Sequence, residues 1–228
     1  MIIGNGLVAN AFKEYKSSPK FLVFASGVSN SKSSLPKDYQ REKELLNLAI
    51  QDNQDKTLVY FSTCSIKDPD LASTDYVIHK IEMEDLIKKN ASSFHIFRLS
   101  NLAGFSQNKN TILNFFNYKI CHDLPFEYWK NAERNIIDVT DVFRIVDYVI
   151  QNNILLNQTM NVANPSNYTV SYIVRCLESF YQKKALALER ERGVPYRIDV
   201  SYMLPVIEFL GIRFAENYLP ELLKKYYS

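Results

Sequence analysis

Met1-Ile2-Ile3-Gly4-Asn5-Gly6-Leu7-Val8-Ala9 joins a short apolar run, two glycines and the start of a helix-compatible segment. Glycine is scarce here, 6 of 228 residues, against the ~7% of ordinary proteins. Two of the six stand in this stretch. Gly4, Gly6 and Ala9 fit G-x-G-x-x-G/A between a strand and a helix, a turn whose backbone N–H groups, including those of Leu7 and Val8, suit a pyrophosphate. A tight turn in any α/β protein can carry the same letters, so the rest of the chain must decide.

Working outward, Phe21-Leu22-Val23-Phe24-Ala25 and Thr57-Leu58-Val59-Tyr60-Phe61 are continuous apolar runs of buried-strand length, and Phe94 to Leu99 is a third. Between them, Tyr39 to Gln51 predicts an amphipathic helix facing inward through Leu45, Leu48 and Ala49. Asp75 to Lys89 predicts another, through Ile78, Ile81 and Met83 to Ile87. Ser26 to Ser34 reads as a loop. The rhythm is lost over 106–133, and it returns with Val142, Ile145, Val146, Val149 and Ile150 in strong helical spacing, with Thr140 or Asp141 as candidate N-cap. Met160 to Ala163 reads as a short strand, Val170 to Leu177 as a helix, and segments around Leu204–Leu210 and Leu219–Tyr226 close the chain. Strands alternating with helices predict α/β architecture with a parallel sheet covered on both faces.

Composition excludes several classes. Apolar residues make up 46% and charged residues 23%, a balance that buries a real core and argues against disorder. The net charge of +2 comes from 27 basic and 25 acidic residues mixed along the chain, so nucleic acid is not an expected partner. No apolar run approaches a membrane span and the start lacks a basic leader, so a cytoplasmic protein is expected. Cys64, Cys121 and Cys176 are read as buried thiols. His79, His95 and His122 lack the spacing of a metal site and read as surface or packed residues, so no metal is expected.

Two constellations could carry chemistry. In Tyr76-Val77-Ile78-His79-Lys80 a four-residue step places a phenol and an ammonium on one helical face, and a nearby cation favours phenolate, as proton transfer to or from a carbinol requires. Ser62-Thr63-Cys64-Ser65 follows a strand at the sheet edge where open parallel sheets bind ligands, and its hydroxyls could orient a substrate oxygen.

Taken in order, these features resemble the extended short-chain dehydrogenase/reductase family, also called the NAD-dependent epimerase/dehydratase family, which modifies nucleotide sugars. Thr63, Tyr76 and Lys80 are similar to its catalytic Thr/Tyr/Lys set, Arg98-Leu99-Ser100-Asn101-Leu102-Ala103-Gly104 to its Arg-x-x-Asn-x-x-Gly, and Arg134 to Asp141 to its Arg-Asp-x-x-x-Val-x-Asp. The resemblance implies a reduced Rossmann-type parallel sheet with helices on both faces, formed by 1–105 and 134–165, plus a small substrate subdomain from 106–133 and 166–228. It implies NAD or NADP as cofactor, held by Gly4, Gly6, Leu7, Val8, Ser26, Gly27, Tyr76 and Lys80. A nucleoside-diphosphate sugar would meet Asn101, Arg134 and Arg192. Tyr76 would be the general acid/base, Lys80 would lower its pKa and hold the nicotinamide ribose, and Thr63 would bond the reacting sugar oxygen. Cys64-Ser65 replaces the Asp-Glu of the family's 4,6-dehydratases, which disfavours dehydration and leaves a ketosugar reductase or 4-epimerase.

The chain also departs from the family. Only Lys16 to Lys20 separate the first helix from the Phe21 strand, where the family inserts a strand, a helix and another strand. The walls of the adenosine site are thereby missing, and NAD and NADP are not distinguished. The first strand is left at a sheet edge, where coverage by a loop or by a partner chain in a homo-oligomer is expected. A degenerate member that binds a nucleotide sugar or a partner without catalysis is the competing reading.

Overall fold

A computed structural model describes residues 1–28 and 36–228; the loop expected over 26–34 lies outside them from residue 29 onward. The main sheet runs β1 (Ile2–Ile3), β2 (Phe21–Phe24), β3 (Thr57–Thr63), β4 (Phe94–Leu99) and then β9 (Gln158–Val162), all parallel, in the order β1-β2-β3-β4-β9. As expected from the shortened start, β1 is an edge strand. It holds its register through Val23 N–H to Met1 O and Ala25 N–H to Ile3 O.

The strands are apolar on both faces because helices cover both. Side chains alternate across each strand, so Phe21, Val23, Val59, Phe61, Phe97 and Leu99 point to one layer while Leu22, Phe24, Leu58, Tyr60, Phe94 and Ile96 point to the other. The first layer contains α1 (Leu7–Ala11), α5 (Val139–Gln151) and α7 (Leu204–Phe209); the second contains α2 (Pro36–Gln51) and α3 (Asp75–Asn90). In α5 the expected stripe is fully buried. Its N-cap, however, is Asp138, whose carboxylate accepts the Thr140 N–H at 2.7 Å, rather than Thr140 or Asp141.

The inward faces of α2 and α3 differ from those expected. Glu42, Leu46, Ala49 and Ile50 face inward from α2 while Leu48 is exposed; Val77, His79, Lys80, Met83, Glu84 and Ile87 face inward from α3 while Ile78 and Ile81 are exposed. Charged residues occupy the buried stripes because they are paired there, which turns each helix away from its apparent apolar side.

The stretch 106–133 is ordered structure that short elements conceal. It holds α4 (Ile112–Cys121) and β6 (Phe126–Trp129), and β6 pairs in parallel with β11 (Ala187–Arg190). Two further pairs join β5 (Asn101–Ala103) to β8 (Ile136–Asp138) and β7 (Glu133–Arg134) to β10 (Tyr168–Thr169). A separate apolar cluster forms from α4, β6, α6 (Val170–Tyr181) and α8 (Tyr218–Tyr227), whereas Met203, Val206 and Ile207 around α7 pack into the sheet. Of the three free thiols, Cys64 is buried and its pKa is pushed up to about 12 by burial; Cys121 is exposed, contrary to expectation, because it ends α4. Among the described residues no helix is long and apolar enough to cross a membrane.

Candidate functional site

The glycine turn leaves β1 and opens α1. Gly4 takes φ +131, a left-handed value that favours glycine, and a Cβ there would stand 2.3 Å from the Ala25 carbonyl oxygen. A Cβ at Gly6 would meet nothing within 4 Å, so the turn's backbone faces open space. Gly104 explains how the turn is backed: a Cβ there would come within 2.7 Å of the Leu7 side chain and 2.9 Å of Val139. Leu7 and Val8 therefore use their side chains for packing, Val8 against the sheet core. Only their backbone N–H groups are left for a ligand.

Ser26 and Gly27 follow β2, next to the turn. Arg41 from α2 bonds both the Ser26 hydroxyl (3.2 Å) and its carbonyl (3.0 Å). Gly27 lies so close to α3 that a Cβ would meet Lys80 Nζ at 2.5 Å and Glu42 Oε1 at 3.0 Å.

Thr63 is the last residue of β3. Its Oγ1 accepts the Ser65 N–H at 3.0 Å and caps the short turn Cys64–Lys67, leaving its own proton to donate. Tyr76, half-buried, sits in the first turn of α3, which Thr74 caps by accepting the Val77 N–H. One turn later Lys80 is buried. Its ammonium is 2.9 Å from Glu42 Oε1 and 3.1 Å from the Tyr60 hydroxyl. Its direct partners are thus an acid and a second tyrosine, neither of which the motif reading singled out.

Glu42 is fully buried and saturated. Oε1 accepts from Tyr60 (2.7 Å) and Lys80, while Oε2 accepts the Val28 N–H (2.6 Å) and lies 3.0 Å from His79 Nε2. Burial alone would raise its pKa, but the Lys80 charge and these hydrogen bonds hold it well below the usual carboxylate range. Burial and the Glu42 charge push the Tyr60 phenol far up. A second buried pair lies further along α3, where Arg98 grips Glu84 through two bonds of 2.8 and 2.7 Å and Ser62 adds a third at 2.6 Å.

The residues expected to meet a substrate are placed less uniformly. Asn101 on β5 donates to the Asn135 carbonyl at 2.8 Å. Arg134 on β7 donates to its neighbour Glu133's carbonyl at 2.7 Å and lies 3.5 Å from the buried Asp68 carboxylate. Burial raises Asp68 more than Arg134 lowers it, and Tyr196 is pushed up to about 12, first by burial and then by the Asp68 charge. Arg192 is exposed on the segment after β11. Asp68 and Tyr196 were not foreseen.

Comparison with known proteins fits this geometry. The sequence model of the NAD dependent epimerase/dehydratase family matches residues 36–163, more than half of the chain and the part that holds Thr63, Tyr76, Lys80, Asn101 and Arg134. The chain belongs to that family. No curated protein sequence matches it closely enough to count as a relative. Several solved structures share the family's fold at low identity. RMD of Pseudomonas aeruginosa, complexed with NADPH, is 15% identical with a TM-score of 0.69, covering 92% of this chain and 81% of its own. The UDP-glucose 4-epimerase of Thermus thermophilus, complexed with NAD, is 15% identical at 0.69, covering 94% and 78%. The UDP-N-acetylglucosamine 4-epimerase of Methanobrevibacter ruminantium, complexed with UDP-N-acetylmuramic acid, is 14% identical at 0.68, covering 95% and 77%.

Proposed function

We propose that this protein is an NAD(P)-dependent oxidoreductase acting on a nucleoside-diphosphate sugar, as a ketosugar reductase or a 4-epimerase. The observation that carries this reading is the placing of Thr63 at the end of β3 and of Tyr76 and Lys80 one turn apart on α3, inside the segment that matches the family.

A dinucleotide fits the residues present in part. The open backbone above Gly6 and the close approach of Gly4 to β2 suit a pyrophosphate, and Ser26 and Gly27 continue that path toward Lys80. On the other side β1 is an edge, so among the described residues no further strand of the sheet walls an adenosine. When bound, NAD(P) supplies a hydride acceptor or donor. The chain's own part is proton handling and orientation: Thr63 donates its hydroxyl proton to the sugar oxygen, and Tyr76 takes or returns the carbinol proton. Lys80 keeps a positive charge one helical turn from Tyr76. Arg134 offers a guanidinium to the diphosphate, and Asn101 stands beside it, bonded to the Asn135 carbonyl. The segments 106–133 and 166–228 form the substrate subdomain in this reading, and the protein works in the cytoplasm.

A second reading, binding without turnover, is favoured by one observation: the Lys80 ammonium is already bonded to Glu42 and Tyr60 inside the protein. Titration with NADH and NADPH, each with and without a panel of nucleotide sugars, separates the two. The enzyme reading expects dinucleotide binding with a preference between NADH and NADPH below ~100-fold, because a larger one needs a dedicated 2′-position contact. Nucleotide-sugar binding with no dinucleotide binding would support the second reading.

A further inference from the structure

Glu42 is a buried acid in direct contact with Lys80, and nothing in the family motifs points to it. It stands on α2, fully buried, and gathers four residues: Val28 after β2, Tyr60 on β3, and His79 and Lys80 on α3. Its four short contacts use both oxygens, so the carboxylate has a fixed orientation. Lys80 in turn has its long side chain held at two points, Glu42 Oε1 and the Tyr60 hydroxyl, with Nζ 5.1 Å from the Tyr60 ring centroid. A free lysine stem has many rotamers; this one is restricted by an ion pair whose acid is itself immobile. Gly27 completes the enclosure, since any side chain there would strike both Lys80 and Glu42.

We propose that Glu42 is a positioning residue for Lys80. It fixes where the ammonium stands and balances its charge, and two of the three ammonium protons are thereby committed to Glu42 and Tyr60. The third is the one that a ribose hydroxyl of the dinucleotide receives. This inference rests on the reading of Tyr76 and Lys80 as the dinucleotide-side pair.

The test is NADH binding, followed by its fluorescence, to the wild-type chain, Glu42→Gln, Glu42→Asp, Lys80→Met and the double variant Glu42→Gln/Lys80→Met, each first checked for native circular dichroism. Glu42→Gln is expected to weaken NADH binding tenfold or more, and Glu42→Asp, which keeps the charge, to restore part of that loss. In the Lys80→Met background Glu42→Gln is expected to change affinity less than twofold, because a residue acting only through Lys80 has nothing left to position. Unchanged or tighter binding by Glu42→Gln overturns the proposal, as does an equal loss in both backgrounds. If Glu42→Gln does not fold, Tyr60→Phe removes the other bond to Lys80 without a charge change: weaker binding supports the proposal and wild-type affinity overturns it. Failure of the wild-type chain to bind NADH overturns the underlying reading, an outcome distinct from wild-type binding that Glu42→Gln leaves intact.

Discussion

The two helical layers pack on the same five strands and are built from different chemistry. α5 offers the sheet Val142, Ile145, Val146, Val149 and Ile150, all apolar and fully buried. α2 and α3 offer Glu42, His79, Lys80 and Glu84 among their apolar residues, each in contact with an acid, a base or a hydroxyl. The α5 layer is scaffold. An apolar stripe specifies only that a surface be covered, whereas buried ions are tolerated only with their partners in place, so the α2–α3 layer holds fixed positions for charge next to the proposed site.

Breaking one ion pair should give the largest effect on stability. Lys80→Met leaves the Glu42 carboxylate buried without its counter-ion, and a loss of about 4 kcal/mol is expected in urea unfolding. Adding Glu42→Gln should recover most of that loss, since the uncompensated charge is removed. A double variant no more stable than the single one would erase the distinction between the layers.

On the apolar side, Ile145→Ala should cost about 3 kcal/mol through lost burial and the cavity left behind. Adding Glu42→Gln should not recover that cost, in contrast to its effect on Lys80→Met. Equal recovery of both variants by Glu42→Gln would show that the two layers do not differ as described.

The smallest effect concerns a third kind of buried group. His95 on β4 is fully buried, both ring nitrogens lack a hydrogen-bond partner among the described residues, and its ring stacks on Phe97. Burial lowers its pKa to about 4. Between the unfolded value near 6.5 and that depressed value the unfolded chain binds the proton and the folded chain does not, so stability falls as pH drops through this window. His95→Phe should remove that part of the slope in thermal melts from pH 7 to pH 4, and an unchanged slope would show that His95 takes no part in it.

These contrasts also show what the sequence could reveal. β2, β3, β4 and α5 were legible because burial on an apolar surface leaves a periodic apolar pattern. α2 and α3 were recognised as helices, but their faces were misassigned: hydrophobicity marks the inward side only when the inward side is apolar, and here Glu42, Lys80 and Glu84 occupy it. A signal for Glu42 existed, since it lies four residues before Leu46 and seven before Ala49, on the stripe that is buried. Thr63, Tyr76 and Lys80 were readable as motifs; the partners of Lys80 were not, because Glu42 and Tyr60 lie 38 and 20 residues away and only the packing of α2 and α3 on β3 joins them. The pairings of β5, β7 and β8 rest on runs of two or three residues, too short to leave a period.

Tyr76→Phe is the decisive substitution for the proposed chemistry, because it removes only the transferable proton of a half-buried side chain. Dinucleotide affinity should stay within about twofold of wild type while NAD(P)H oxidation with the nucleotide sugar that wild type reduces falls ~100-fold or more. Turnover retained in Tyr76→Phe would contradict the account.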